Sequence, residues 1–178
     1  MARINGLDTD KLLSVVETVK QNWETGKTVW KASAFWKGGF RVQTDSRGFI
    51  STFDEPEMLC GTNSAANPVE VVLQAYGACL TIGYAMNAAV RGIELEDIRI
   101  DLEGEIDLPG FLGLEAPEKY GMDKLPGYKT VRASVKIKAK NADEKKLEDL
   151  HKHVFSTSPV GITLSRPVKI ETDLEVLK

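Results

Sequence analysis

The stretch Asn67-Pro68-Val69-Glu70-Val71-Val72-Leu73-Gln74-Ala75-Tyr76-Gly77-Ala78-Cys79-Leu80 decides the fold; the chain then stays free of charged side chains until Arg91-Gly92. Asn67 and Glu70 have the spacing of a capping box, and Pro68 takes the first helical position, where no backbone N–H is needed. Gly92 supplies the stop signal. The pattern predicts a helix from Pro68 to Arg91, about 36 Å long at the usual rise. On its helical wheel Val69, Val72, Leu73, Tyr76, Leu80 and Gly83 share one side, while Val71, Ala75, Ala78, Ile82 and Ala89 line the other. A helix apolar on both sides is expected to be buried all round, in the middle of a fold or an assembly.

Upstream, Asp8 or Thr9 is placed to cap an amphipathic helix with Leu12, Val15, Val16, Val19 and Trp23 as its buried stripe. Three strand patterns follow, Thr28 to Trp36, Phe40 to Thr44 and Phe49 to Phe53, punctuated by Gly38-Gly39 and by Asp45 to Gly48. They predict an antiparallel meander. Downstream, Ile93 to Ile106 and Thr130 to Ala139 alternate as half-buried strands. Between them lies a Pro- and Gly-rich segment with a short helix expected around Ala116 to Met122. Asn141 with Glu144 predicts a second capping box and a helix to about His153, ended by Ser158-Pro159-Val160. A last strand is expected from Val168 to Val176. The order gives an α+β domain with antiparallel sheets around a long buried central helix, one domain over 1–178 with 1–25 as an added N-terminal helical segment.

A chain of 178 residues is long enough for a sizeable single core. Its net charge of -3 argues against a nucleic-acid partner, since phosphate recognition wants clustered positive charge. The uncharged run has about the length of a membrane span, but Gln74, Thr81 and Asn87 interrupt it, which favours a soluble helix and no membrane partner. Two cysteines and no leader before the first charged residues predict a reducing, cytoplasmic setting.

Cys79, midway along the central helix, is the candidate nucleophile. A cysteine there is either packing material or a reactive thiol. It stands eleven residues past Pro68, too far for the helix end to activate it, so activation needs a cation from elsewhere in the chain. Arg41 and Arg47 on the meander are the candidates, arginine keeping its charge in an apolar pocket. His151 and His153 are two apart on a helix and Cys60 is nineteen residues before Cys79, so neither a zinc set nor a Cys-x-x-Cys pair appears. A cysteine hydrolase would need one of the histidines beside Cys79. No cofactor motif is present.

The helix sequence from Asn67 to Leu80 resembles that of the OsmC/Ohr family of organic-hydroperoxide-reducing proteins. Pro56-Glu57-Met58-Leu59-Cys60-Gly61 is similar to the family's approach loop, and Ser158-Pro159-Val160-Gly161-Ile162-Thr163-Leu164 with Pro167-Val168 to its C-terminal region. The likeness spans roughly Thr28 to Val176. It implies an intertwined homodimer with a site at the subunit interface. It also implies a stress-response oxidoreductase with peroxiredoxin-like chemistry: one thiol attacks the hydroperoxide, a second resolves it as a disulfide, and a dithiol reductant reopens it. On this resemblance Cys79 is the attacking cysteine and Arg41 stands one step from the activating arginine. Ser158 occupies the place of the resolving cysteine, so the chain is a divergent member. Val69 occupies the place of the orienting glutamate, with Glu70 one residue later as a supporting candidate. Cys60 is the other candidate for resolution. The expected function is reduction of organic hydroperoxides through Cys79 with unusual or absent disulfide resolution; the alternative is a noncatalytic relative that binds a small hydrophobic ligand at the dimer interface.

Overall fold

A computed structural model describes residues 3–114 and 126–177. Two short strands, β1 (Arg3–Ile4) and β2 (Leu7–Asp8), form a tight hairpin ahead of α1 (Thr9–Gln21). Asp8 caps α1, its side chain accepting from the Lys11 amide. Residues 3–21 are therefore a hairpin plus a helix. It is tied down by Asn5, whose side chain accepts from the Leu95 amide (2.8 Å) and donates to the Ile93 carbonyl (3.0 Å). Of the stripe expected to be buried, Leu12 and Val19 are half-buried, whereas Val15 and Trp23 are exposed.

The meander follows as β3 (Ser33–Trp36), β4 (Val42–Ser46) and β5 (Phe49–Phe53), antiparallel in the order β3-β4-β5. Its first strand is shorter than expected, because Thr28 to Ala32 pairs with no neighbour among the described residues. Arg47 and Gly48 turn the second hairpin with φ of 60° and 87°, and Asp45 accepts from the Gly48 amide at 2.8 Å. Phe35, Trp36, Phe49 and Ile50 are all exposed, so the meander leaves its apolar side chains uncovered.

The central helix, α2 (Pro68–Val90), has both halves of the capping box in place, Asn67 accepting from the Glu70 amide and Glu70 from the Asn67 amide, each at 2.9 Å. Gly92 ends it with φ of 70°. After it come β6 (Leu95–Ile106), a single turn α3 (Leu108–Phe111), β7 (Tyr128–Ala139), α4 (Glu144–Thr157) and α5 (Pro159–Ser165). The short helix expected at Ala116 to Met122 lies outside the described residues. Strands β6 and β7 pair antiparallel with Ile98 opposite Ile137, Ile100 opposite Val135 and Leu102 opposite Ala133, so one face of the ribbon is an apolar ladder.

That ladder and α4 close on one side of α2. Leu80, Tyr84 and Ala88, spaced four apart, meet Leu150, Val154 and Ile93 in the buried core. Two glycines allow the approach: a Cβ on Gly77 would stand 2.7 Å from Leu102 Cδ1, and one on Gly83 3.1 Å from Val154 Cγ1. By length and composition α2 could cross a membrane, yet this side of it is the core of the chain. The other side is open. Ile82 is 68% exposed, and Met86 and Val90 are exposed as well, so burial all round is not reached within one chain.

Two further expectations are corrected. The cap of α4 is Asp143, accepting from the Lys146 amide, and not Asn141. Asn141 bridges instead, accepting from the Glu94 amide (2.8 Å) and donating to the Gly92 carbonyl (2.9 Å), which uses up the atoms a cap would need. The expected strand from Val168 to Val176 is not formed: the chain from Pro167 to Leu177 runs without secondary structure, with Val168, Ile170, Leu174 and Val176 exposed. A strand needs a neighbouring edge, and this segment pairs with none among the described residues.

Candidate functional site

Cys79 is half-buried between the core side of α2 and its open side. It lines a cleft of about 510 Å³ bounded by Ala75, Ile82 and Met86 on α2 and by Val154, Thr157 and Pro159 across from them. Among the described residues no charged side chain lines this cleft. The Cys79 sulfur lies 3.3 Å from Ser158 Oγ. Ser158 is only 4% exposed and is fixed from the other side, because its oxygen accepts from the Gly161 amide at 3.1 Å as the cap of α5.

The capping role explains why serine is held there: it is a preferred residue at a helix start, and Pro159 at the first helical position biases the Ser158 backbone to the extended form it adopts. Gly161 lets the Tyr76 ring lie against this turn, since a Cβ there would be 2.9 Å from Tyr76 Cε2 and 3.1 Å from Ser158 Oγ. Burial, and after it the charge of a Cys79 thiolate, push the Tyr76 hydroxyl pKa above its ordinary value. Tyr76 was not singled out from the sequence, although it stands three residues before Cys79 on the same helical face.

The remaining candidates lie elsewhere. Arg41 is exposed at the β3–β4 turn, where its amide donates to the Gly38 carbonyl. Arg47 sits over the rings of Trp30 and Phe49, 5.2 and 5.5 Å from their centroids. Neither arginine lines the Cys79 cleft of its own chain. Glu70 is engaged in the capping box. Cys60 is exposed, with φ of 66°, in the loop whose Leu59 lines a cavity together with Asn67 and Val69 at the start of α2, and both cysteines are free thiols. His151 accepts or donates at Nδ1 with the Tyr84 hydroxyl (2.5 Å) and stacks on Phe155. It faces a separate cavity with Glu144, Glu148 and Lys152, so neither histidine lines the Cys79 cleft. Burial first, and the charge of Tyr76 second, push the Tyr84 hydroxyl up to about 12. No cluster of three His, Cys, Asp or Glu side chains suited to a metal occurs among the described residues.

A family model described as OsmC-like protein matches residues 61–173. No curated protein matches the sequence. Among solved structures, an OsmC-like protein from Mycoplasma pneumoniae is similar at a TM-score of 0.64 and 16% identity, with 78% of this chain and 89% of that one covered. A protein of Psychrobacter arcticus described as a putative osmotic stress induced and detoxification response protein reaches 0.60 at 12% identity, covering 77% and 89%. An organic hydroperoxide resistance protein from Elizabethkingia anophelis reaches 0.54 at 15%, covering 76% and 87%. These likenesses concern the fold. The chain, matched over most of its length with α2 and Cys79 inside the matched region, belongs to the OsmC-like family.

Proposed function

We propose that the protein is a homodimeric thiol peroxidase that reduces organic hydroperoxides through Cys79, in a reducing cytoplasmic setting. The observation that carries this reading is a free thiol, open to an apolar cleft and hydrogen-bonded to the buried Ser158 hydroxyl. The thiolate attacks the peroxide bond and becomes a sulfenic acid, and the alkoxide leaves as alcohol after taking a proton. The apolar walls favour alkyl over hydrogen peroxide.

Dimerisation is part of the proposal because the single chain is unfinished. It exposes 13648 Å² of surface. A compact monomer of this mass exposes about 8,600 Å². The excess, about 5,000 Å² for one chain, is more than the roughly 1,000–2,500 Å² per partner that an obligate interface buries, so it has room for one and includes the extended tail as well. Exposed apolar side chains stand on the open side of α2 (Ile82, Met86, Val90), on the meander (Phe35, Trp36, Phe49, Ile50) and on the extended tail (Val168, Ile170, Leu174, Val176). In the proposed dimer the second copy brings its meander, and with it Arg41, over the Cys79 cleft. Arg41 is favoured over Arg47 because Arg47 is already held between two rings.

The test is consumption of cumene hydroperoxide with a thiol reductant: Cys79→Ser is expected to abolish it, and full activity in that variant would overturn the mechanism. A second reading, a noncatalytic protein holding a small hydrophobic ligand, draws on the absence of charged side chains from the described cleft. It predicts a Cys79 that resists both peroxide and alkylation.

A further inference from the structure

The chain has two cysteines, and beside the Cys79 sulfur, 3.3 Å away, stands the hydroxyl of Ser158. Ser158 Oγ accepts from the Gly161 amide, which leaves its proton and a second lone pair for the sulfur; toward a thiolate, which carries no proton, the hydroxyl is the donor. Cys60 belongs to the loop at the start of α2. Cys79 is eleven residues past Pro68, roughly 16 Å further along the axis. A disulfide needs Cα atoms within about 7 Å. Inside one chain the oxidised sulfur therefore has a hydroxyl beside it, while Cys60 belongs to the loop at the other end of this half of the helix, and the cleft gives the sulfur access to small molecules.

We propose that Ser158 is a positioning residue whose hydroxyl donates to the Cys79 sulfur, and that oxidised Cys79 is recycled by a small external monothiol through a mixed disulfide. The inference rests on the peroxidase reading above and adds the class of the second substrate. In the first step the Cys79 thiolate takes the terminal peroxide oxygen; the O–O bond breaks, sulfur is oxidised by two electrons, and the alkoxide is protonated to alcohol. A monothiol R′SH then condenses with the sulfenic acid to give Cys79–S–S–R′ and water. A second R′SH attacks the outer sulfur, releasing R′S–SR′ and restoring the Cys79 thiol. The sum is ROOH and two R′SH giving ROH, R′SSR′ and water. A donor hydroxyl held 3.3 Å from the sulfur favours its thiolate as attacking group and as leaving group, so Ser158 serves the first and last steps.

The experiment treats the full-length protein with cumene hydroperoxide, then with 2-mercaptoethanol, and reads each cysteine by mass spectrometry. The expected result is a dimedone-trappable sulfenic acid on Cys79, converted by 2-mercaptoethanol into a mixed disulfide on Cys79. Ser158→Cys is expected to divert the oxidised protein into an internal disulfide between positions 79 and 158. Ser158→Ala is expected to slow Cys79 alkylation at neutral pH roughly tenfold, the effect of one charge-assisted hydrogen bond. Its pH profile should move to higher pH, and Ser158→Thr, which keeps both hydroxyl and cap, should restore it. A lost helix cap alone would lower the melting temperature without moving that profile. A Cys60–Cys79 disulfide in the oxidised wild type, or turnover supported by dithiols and never by 2-mercaptoethanol, would overturn the recycling step while leaving the peroxidase reading intact. An unchanged alkylation profile in Ser158→Ala would overturn the role of Ser158. Failure to form any sulfenic acid would sink both this inference and the reading beneath it.

Discussion

Asp54 and Ser64 are joined twice: Asp54 Oδ2 accepts from the Ser64 amide at 3.0 Å and from the Ser64 hydroxyl at 2.8 Å. Thr62 adds its amide at 3.1 Å and a short hydroxyl contact, and the Glu55 amide reaches Oδ1 at 2.9 Å. The carboxylate, 1% exposed, is the hub of the loop that carries Cys60. The chain closes tightly around it, for a Cβ on Gly61 would fall 1.8 Å from the Glu55 carbonyl oxygen.

These bonds, the Thr62 hydroxyl first, hold the Asp54 carboxyl far below the usual carboxylate range. The folded chain thus favours the ionised form more than the unfolded chain does. The resulting stability is complete above the ordinary value of 3.8 and is lost as pH falls from there toward the folded value. Melting temperature measured from pH 7 to pH 2 should drop in the acid part of that range. Asp54→Asn should be less stable at neutral pH and should show a shallower acid slope; a slope equal to that of the wild type would remove Asp54 as its source.

Gly104 predicts a packing defect of known direction. The Tyr128 ring lies over it, with Cδ1 2.7 Å from where a Cβ would stand, while the Tyr128 hydroxyl donates to the Val69 carbonyl at 2.7 Å. Gly104→Ala must push the ring aside and break that bond between β7 and α2. A loss of about 1–3 kcal/mol is expected in denaturant unfolding. Tyr128→Phe, which removes only the hydroxyl, should cost about 1 kcal/mol.

The helix–ribbon–helix core is legible in the sequence because its signals are local. Asn67, Pro68, Glu70 and Gly92 mark both ends of α2, and the alternation from Ile98 to Ile106 and Val131 to Ala139 sets the face that packs on it. The Asn141 cap is misread from sequence because Asp143 offers the same chemistry two residues later, and only the tertiary partners Glu94 and Gly92 decide between them. The failure at Val168 to Val176 has another origin. An alternating apolar segment states that it wants an edge, without stating whose. For the site, the family pattern draws Cys79 and Ser158 together across seventy-nine residues, and they do meet. The Asp54 hub carries no comparable signal, since Asp, Thr and Ser at this spacing are ordinary loop residues.

Arg41 and Arg47 should separate cleanly in kinetics. Among the described residues Arg41 forms no ion pair, whereas Arg47 is engaged by two aromatic rings. Arg41→Ala is expected to reduce kcat/KM for cumene hydroperoxide by at least about tenfold with little change in melting temperature, as for a lost charge-assisted contact to the reacting sulfur. Arg47→Ala should instead lower stability by about 0.5–1 kcal/mol through its cation–π contacts and leave kcat/KM nearly unchanged. The reverse pattern would transfer the activating role to Arg47.

Ile82 tests whether the open side of α2 belongs to a second copy. It is 68% exposed, one turn from Met86, and lines both the Cys79 cleft and the cleft formed with Leu12 and Val15 of α1. In a monomer Ile82→Asp merely places a carboxylate in water and should be neutral within about 0.5 kcal/mol. In a dimer it buries a charge without a partner, a cost of several kcal/mol that shifts the association equilibrium by orders of magnitude. Light scattering across a dilution series should therefore find a dimer for the wild type and a monomer for Ile82→Asp. Cys79 lies three residues away, so the same variant should also lose hydroperoxide turnover if the cation comes from the second chain. Turnover retained by a proven monomer would show that one chain completes the site alone.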